Sequence, residues 1–153
     1  MAILKSTRVA NKYTVPTADR NIELIPIFAD YTLTGAEATG DVLEMVPLPA
    51  MMVPVDVIVD SDDLAGTTFT ANVGLLTGNY DATGARTCGA EFMSGKALGA
   101  AAAINRMDVA GGGRIAPTAN DRGVGLALTT VTGPTAGAKV RLTLLCRPQH
   151  EAV

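Results

Sequence analysis

The sequence predicts an all-β fold, a single β-sandwich or jelly-roll domain preceded by an extended N-terminal arm, and three observations carry that expectation. Residues 42–76 hold three Val-rich apolar runs interrupted by Pro47, Pro49 and Pro54. Each proline fixes φ and removes a backbone donor, so no helix crosses the stretch. Val53, Val55, Val57 and Val59 alternate with Pro54, Asp56 and Ile58, a period of two that turns one side of a strand to a core. The same alternation returns at Val124, Leu126 and Leu128, and again at Val140, Leu142 and Leu144. Short strands divided by turn signals form a sandwich or a jelly-roll.

In chain order, residues 1–20 are polar, mixed and without an apolar face, and with Pro16 they read as an extended arm ordered by a partner. On this reading, removing residues 1–18 leaves the melting of the body unchanged. The body, residues 21–153, opens with a strand at 21–28 that Pro26 confines to an edge or a bulge. Strands at 41–48 and 52–60 follow, joined at Pro49-Ala50, with Val55, Val57 and Val59 assigned to the core. Residues 61–66 read as a turn, 67–76 as a fourth strand and 78–89 as a loop. The alanines of 91–103 make that segment the one helix candidate, opposed by Gly95 and Gly99. Gly111, Gly112 and Gly113 form a connection, and strands at 123–131 and 138–147 complete a set of about seven.

A chain of 153 residues makes one domain that buries roughly 70% of its unfolded surface. Charged residues are 18% of it, below the roughly 25% usual in soluble domains. Such a surface suits packing against neighbours in an assembly, and equally suits a compact domain short of lysine. The net charge of −3 is unevenly laid out. Residues 1–20 carry four bases, Lys5, Arg8, Lys12 and Arg20, against the single acid Asp19. Residues 21–85 carry ten acids and no Lys or Arg, whereas residues 86–153 carry eight bases and four acids. Either the basic arm is steered onto an acidic patch of another molecule, or the strands interleave in space and the charges cancel.

Little in the sequence carries chemistry. Cys88 and Cys146 are too few for a disulfide scaffold and match no zinc spacing, so both are expected as free thiols in a reducing compartment. The start, MAILKSTRVANKYTV, lacks the apolar run of a signal peptide, and no stretch reaches the ~20 apolar residues that span a bilayer. No membrane partner is expected. His150, the only histidine, sits near the end of the chain without the rigid neighbour that a Ser–His or Cys–His pair needs. Asp60, Asp62 and Asp63, with Asn79 and Asp81, are the best metal candidates, yet their spacing is not that of an EF-hand. Aspartates at a turn serve its backbone donors, so this turn reads as structural. Residues 89–97 place five residues between glycines where a phosphate loop has four, with Ala97 at the Ser/Thr position. Carboxylates without any Trp make a poor glycosidase. No enzyme, cofactor or metal is expected, and dispersed bases argue against direct contact with nucleic acid.

The run GDVLEMVPLPAMMVPVDVIVDSDDL, followed by TTFTANVGLLTGNYD, resembles the small capsid decoration (cement) proteins of tailed bacteriophages. The resemblance covers roughly residues 21–85; the C-terminal third shares only the Gly/Ala/Thr-rich style. Pro47 and Met51-Met52 make the kink bulkier than the Leu-Pro-Ala-Gly turn of that pattern. The resemblance implies a sandwich or jelly-roll body, synthesis in the host cytoplasm and a place on the capsid surface of the virion. It also implies a dimer or trimer that fastens neighbouring subunits of the major capsid protein. Lys5, Arg8, Lys12 and Arg20 are then the candidate capsid-binding residues. Another virion part, a head fibre base or a tail component, stays open. So does a carbohydrate-binding or calcium-dependent sandwich, for which Tyr31 and Tyr80 are the aromatic candidates.

Overall fold

The computed structural model describes residues 2–12, 15, 24–64, 68–99 and 103–149. Among them run nine strands: β1 (Ile3–Lys5), β2 (Ile25–Thr32), β3 (Val42–Leu48), β4 (Met52–Ser61), β5 (Thr68–Asn79), β6 (Met93–Ala97), β7 (Ala103–Arg106), β8 (Arg122–Thr132) and β9 (Lys139–Pro148). One short helix, α1 (Thr7–Ala10), and a 3₁₀ turn at Gly112–Arg114 complete the regular structure. The first sheet has the order β1-β3-β8-β5-β6 and the second β2-β9-β4-β7. Every pairing is antiparallel except that of β1 with β3.

The fold is the predicted β-sandwich, and its core follows from register. Leu43, Leu126 and Val73 lie side by side across the first sheet. Ile27, Leu144 and Val57 do so across the second, as do Ala29, Leu142 and Val59. All are buried, and together they form one cluster. β2 is an edge strand, as Pro26 requires, although it starts at Ile25 and ends at Thr32; Asn21 to Glu23 lie outside the described residues.

Three expectations are corrected. Val55 is not in the core. The register of β4 against β9 slips between Pro54 and Asp56, which makes Val55 the extra residue of a bulge and leaves it 40% exposed. Pro54, without an N–H, sits where the ladder is already broken. The slip shifts the alternation by one, so Val57 and Val59 point inward while Val53 turns to the other face beside Gly113 and Ile115.

The described residues of 91–103 (91–99 and 103) do not form a helix, and residues 100–102 lie outside those described. Met93–Ala97 pairs with β5 as β6, and Ala103–Arg106 pairs with β4 as β7, so the segment passes from one sheet to the other. Gly95 has φ 59°, a conformation that breaks a helix, and Phe92, Met93 and Leu98 are all buried. Edge positions available in both sheets outweigh the weak helical preference of alanine.

Residues 2–12 are not an arm separate from the body. Ile3, Leu4 and Lys5 pair with Val42, Leu43 and Glu44, and the amide of Ala2 donates to Asp41 (2.7 Å). Ser6 caps α1, and its buried hydroxyl donates to the carbonyl of Met45. Val9 on α1 is buried. The hydroxyl of Thr7 donates to the Asp30 carbonyl (3.1 Å) and Arg8 Nε to that of Phe28 (3.1 Å). The N-terminal segment thus closes the side of the sandwich between β3 and β2 and occupies edge acceptors that another strand would use. One buried residue on a four-residue helix leaves no periodicity for sequence reasoning to detect.

The outer face of the first sheet is covered by residues 80–92 over a floor of glycine. Gly74, Gly125 and Gly123 lie on β5 and β8, and Gly74 opposes Gly125 directly. A Cβ on Gly74 would collide with Gly89 and the Glu91 carboxylate, and one on Gly123 with the carboxylate of Glu44. The crossing segment is held by a buried ion pair, Arg86 Nη1 to Glu44 Oε1 at 2.5 Å, and by a bond from the Asp81 amide to the same oxygen (3.1 Å).

Deleting residues 1–12 should lower the melting temperature and promote aggregation, because it uncovers the edges of β3 and β2; differential scanning fluorimetry with light scattering checks this. Arg86→Ala strands a buried carboxylate, a loss of about 3–5 kcal/mol and a fall of about 10 °C in a domain this size. The double variant Glu44→Met with Arg86→Leu should recover most of that fall.

Candidate functional site

Three of the four bases singled out from the sequence share one region. Lys5 on β1, Arg8 on α1 and Lys12 after it line the N-terminal side of the sandwich; Arg20 lies outside the described residues. Arg8 borders an open cleft of about 440 Å³ with Thr7, Asn11, Phe28, Ala29 and Asp30. A neighbouring cleft of about 250 Å³ is lined by Lys5, Ala10, Asn11 and Tyr31. Phe28, on the outward face of β2, is 68% exposed. The seam therefore places guanidinium, amide, carboxylate and a bare aromatic ring on one surface, a composition suited to contact with protein.

It is not a purely basic patch, because the strands interleave the uneven charges of the sequence. Lys5 pairs with Asp81, Arg86 with Glu44 and Arg106 with Asp56. Lys139 pairs with Asp30 (3.1 Å), and Arg141 with Asp60 (3.2 Å) and Asp62 (2.9 Å). Each of these joins a base from outside residues 21–85 to an acid within them; Lys96 with Asp108 departs from that rule. Neighbouring groups hold several carboxyls below their usual range. For Asp30 the main cause is the Thr7 hydroxyl, then Lys139; for Asp81 it is the Lys5 ammonium.

The aspartates at the end of β4 are tied across the sheet. The amide of Lys139 donates to Asp62 Oδ2 (2.9 Å), and with Arg141 this lowers the Asp62 carboxyl. The clip joins β4 to β9 and is a cross-strand bond rather than one within the turn. Among the described residues, no group of three or more His, Cys, Asp or Glu is placed to hold a metal ion. His150 lies outside the described residues. No helix among those described is long and apolar enough to cross a membrane.

Of the aromatic candidates, Tyr31 faces the core and Tyr80 is half-buried. Tyr31 is buried and donates to Glu37 Oε1 (2.9 Å); burial, then Glu37, pushes its hydroxyl up to about 12. Burial likewise raises Tyr80 to about 12, with its hydroxyl oxygen enclosed. Neither ring offers a stacking platform. Both cysteines are free: burial pushes Cys88 up to about 12 and Cys146 to about 11.

Sequence reasoning missed the pair Glu44–Arg86 and the exposed apolar residues Phe28 and Ile104. A Glu inside the apolar run 42–48 is the one signal that could have pointed to the pair. Nothing in the sequence names its partner 42 positions away.

No family model matches the chain, and no curated protein matches it. Its fold is that of a chain in the solved capsid of Ralstonia phage GP4, with a TM-score of 0.87 and 28% identity over 97% of this chain and 99% of that one. A chain of the cyanophage Pam1 capsid asymmetric unit has the same fold at a TM-score of 0.60 and 18% identity, over 91% of this chain and 96% of that one.

The titrating groups give a defined pH window. Asp30, Asp62 and Asp81 have lowered folded-state values, so the stability they add is present above about pH 4 and lost as pH falls through those values. Tyr31, Tyr80 and Cys88 have raised values, so their contribution is present below about pH 8.5 and lost as pH climbs toward 12. Melting temperature should be flat between about pH 5 and 8 and fall on both sides. Ellman's reagent should find neither thiol at neutral pH until the protein is unfolded.

Proposed function

We propose that this chain is an accessory protein of a phage head, which binds the outside of the assembled shell and fastens neighbouring major capsid subunits without performing a reaction. The observation that supports this most is the likeness over nearly the whole of both chains to a chain of a phage capsid. The architecture agrees with it: Arg86, Lys139 and Arg141 are used in structural ion pairs, and the clefts beside α1 are open. Binding is assigned to the seam between α1 and β2, where Arg8 shares a cleft with the exposed Phe28, with Lys12 just beyond the end of α1 and Lys5 fixing β1 through Asp81. Arg20 is proposed to add to the same contact.

The action is mechanical. A protein that binds only the assembled shell stabilises it by RT ln(1 + [L]/Kd) per site, about 2.7 kcal/mol at a hundredfold excess over Kd. Many weak clamps then resist the pressure of packaged DNA together. The buried Tyr31 and the half-buried Tyr80, whose hydroxyl is enclosed, weigh against a carbohydrate-binding module. A head fibre base or tail component is the second reading, and copy number separates it from the first. A clamp on every capsomer approaches the copy number of the major capsid protein, as counted by mass spectrometry of purified particles.

The decisive comparison uses particles that lack the protein, tested by heat and osmotic shock before and after it is added back. Bare particles should release their genome at lower temperature and be restored by the wild type. Arg8→Glu with Lys12→Glu should bind more slowly and restore less, with a reduced salt dependence. Bare particles as robust as decorated ones would remove the clamp.

A further inference from the structure

Most basic side chains among the described residues already hold a carboxylate: Lys5, Arg86, Lys96, Arg106, Lys139 and Arg141 do so. Arg114 and Arg147 do not. Both are exposed, neither forms an ion pair with another described residue, and both border one open cleft of about 430 Å³. The cleft lies at the end of the second sheet, where the turn at Gly112–Arg114 packs against β4 and Arg147 stands opposite Val53 in the ladder. Gly113, Ile115 and Gln149 complete its lining. The backbone fixes its walls. A Cβ on Gly112 would meet Met107 Sδ at 2.7 Å and the Glu91 carbonyl at 2.8 Å, so this turn lies against the body as closely as a chain can. The Arg114 amide donates to the Gly111 carbonyl (2.8 Å), Arg122 Nη2 to that of Ala116 (2.9 Å) and the Gln149 amide to that of Met51 (3.1 Å). Two guanidinium groups are thus carried on braced segments, which lowers the ordering cost of a partner that bridges them.

We infer that this cleft is a second contact surface, which takes an acidic peptide segment of a capsid subunit. On the clamp reading, on which this assignment rests, a protein that fastens neighbouring subunits needs two contacts, and the seam at α1 supplies one. The cleft is separate from that seam. Arg8 donates to the carbonyl of Phe28, whose partner on β9 is Thr143, and Arg147 lies four residues further along that strand, about 13 Å away. Charge names the occupant. A guanidinium fork binds a carboxylate through two parallel N–H···O bonds, and neither arginine here has an internal carboxylate to give up. Elsewhere on the second sheet an acidic partner would have to displace Asp30, Asp56 or Asp60 from their bases. Nucleic acid fits less well. A strand of phosphates is held by a row of bases, whereas here two bases meet in one concave site of a chain whose net charge is −3. Val53 and Ile115 give the cleft an apolar floor, and Met51 and Val55, two positions to either side of Val53, are 42% and 40% exposed. Such surroundings suit a peptide in which acids alternate with apolar residues better than a free anion.

The test is attachment of the full chain to particles that lack it, for the wild type and for Arg114→Glu with Arg147→Glu. Both positions are exposed, so melting temperature should not change and loss of fold is controlled for. The double substitution should weaken attachment at least tenfold and lower its salt dependence. Attachment equal to that of the wild type overturns the inference and leaves the clamp standing. A second measurement needs no shell. Titrating the full chain with a hexaglutamate peptide should shift the NMR signals of the Ile115 and Gln149 amides, and the double substitution should abolish those shifts. An absence of shifts in the wild type overturns the inference. So does displacement of the peptide by an equal concentration of oligothymidylate or inorganic phosphate, because the site is then one for phosphate. A wild type that attaches to no shell removes the clamp itself and the capsid segment with it. Peptide shifts at the cleft would in that case still support an acidic partner, so the two failures are read apart.

Discussion

The ion pair between Glu44 and Arg86 is the interaction on which the rest of this architecture depends. Glu44 stands on the outward side of β3, a position that would face water in an ordinary sandwich, and yet it is fully buried. It is buried because residues 80–92 cross the sheet at that point, and they can cross because β5 and β8 present Gly74, Gly123 and Gly125 there. One carboxylate oxygen takes both the Arg86 guanidinium and the Asp81 amide, and Asp81 in turn takes Lys5 of β1. The loop, the middle of the sheet and the N-terminal strand are thereby one connected unit. A buried pair of this kind adds little net stability over an apolar substitute, but it admits only one arrangement of the segments that meet there.

The same connectivity divides the molecule into a closed side and an open one. Glycines beneath a crossing segment seal the first sheet, and the N-terminal segment seals the gap between β3 and β2. Among the described residues, Phe28 and Ile104 on the second sheet and the adjoining seam at α1 stay exposed. The ion pairs have the corresponding effect on charge. By neutralising acids of the central segment with bases from both ends, they leave a surface on which apolar contact counts for more than long-range attraction.

Strands were legible wherever a local pattern repeated. The runs at 42–48, 52–61, 122–132 and 139–148 alternate or are continuously apolar, and proline excludes helix from the first two. The failures have physical causes of their own. At 91–103 propensity favoured a helix, but the energy came from pairing with β5 and β4, contacts that no local window contains. At 2–12 the segment is ordered by atoms of residues 28–30, 41–45 and 81, so composition described a tail where the fold has a closure. At Val55 the period of two was real, but a bulge at Pro54 shifted its phase.

By itself the sequence determined that the chain is a single all-β sandwich with strands over 42–48, 52–61, 122–132 and 139–148. Those properties follow from residue type and short-range periodicity, which act within a few positions. Only the tertiary structure decided which acids meet which bases, that Glu44 is buried with Arg86, that residues 2–12 belong to the body, and that residues 80–92 cover one face of the first sheet. Each depends on groups tens of residues apart being brought within hydrogen-bonding distance, and such distances are set by sheet order and register. Order and register are collective properties of all nine strands.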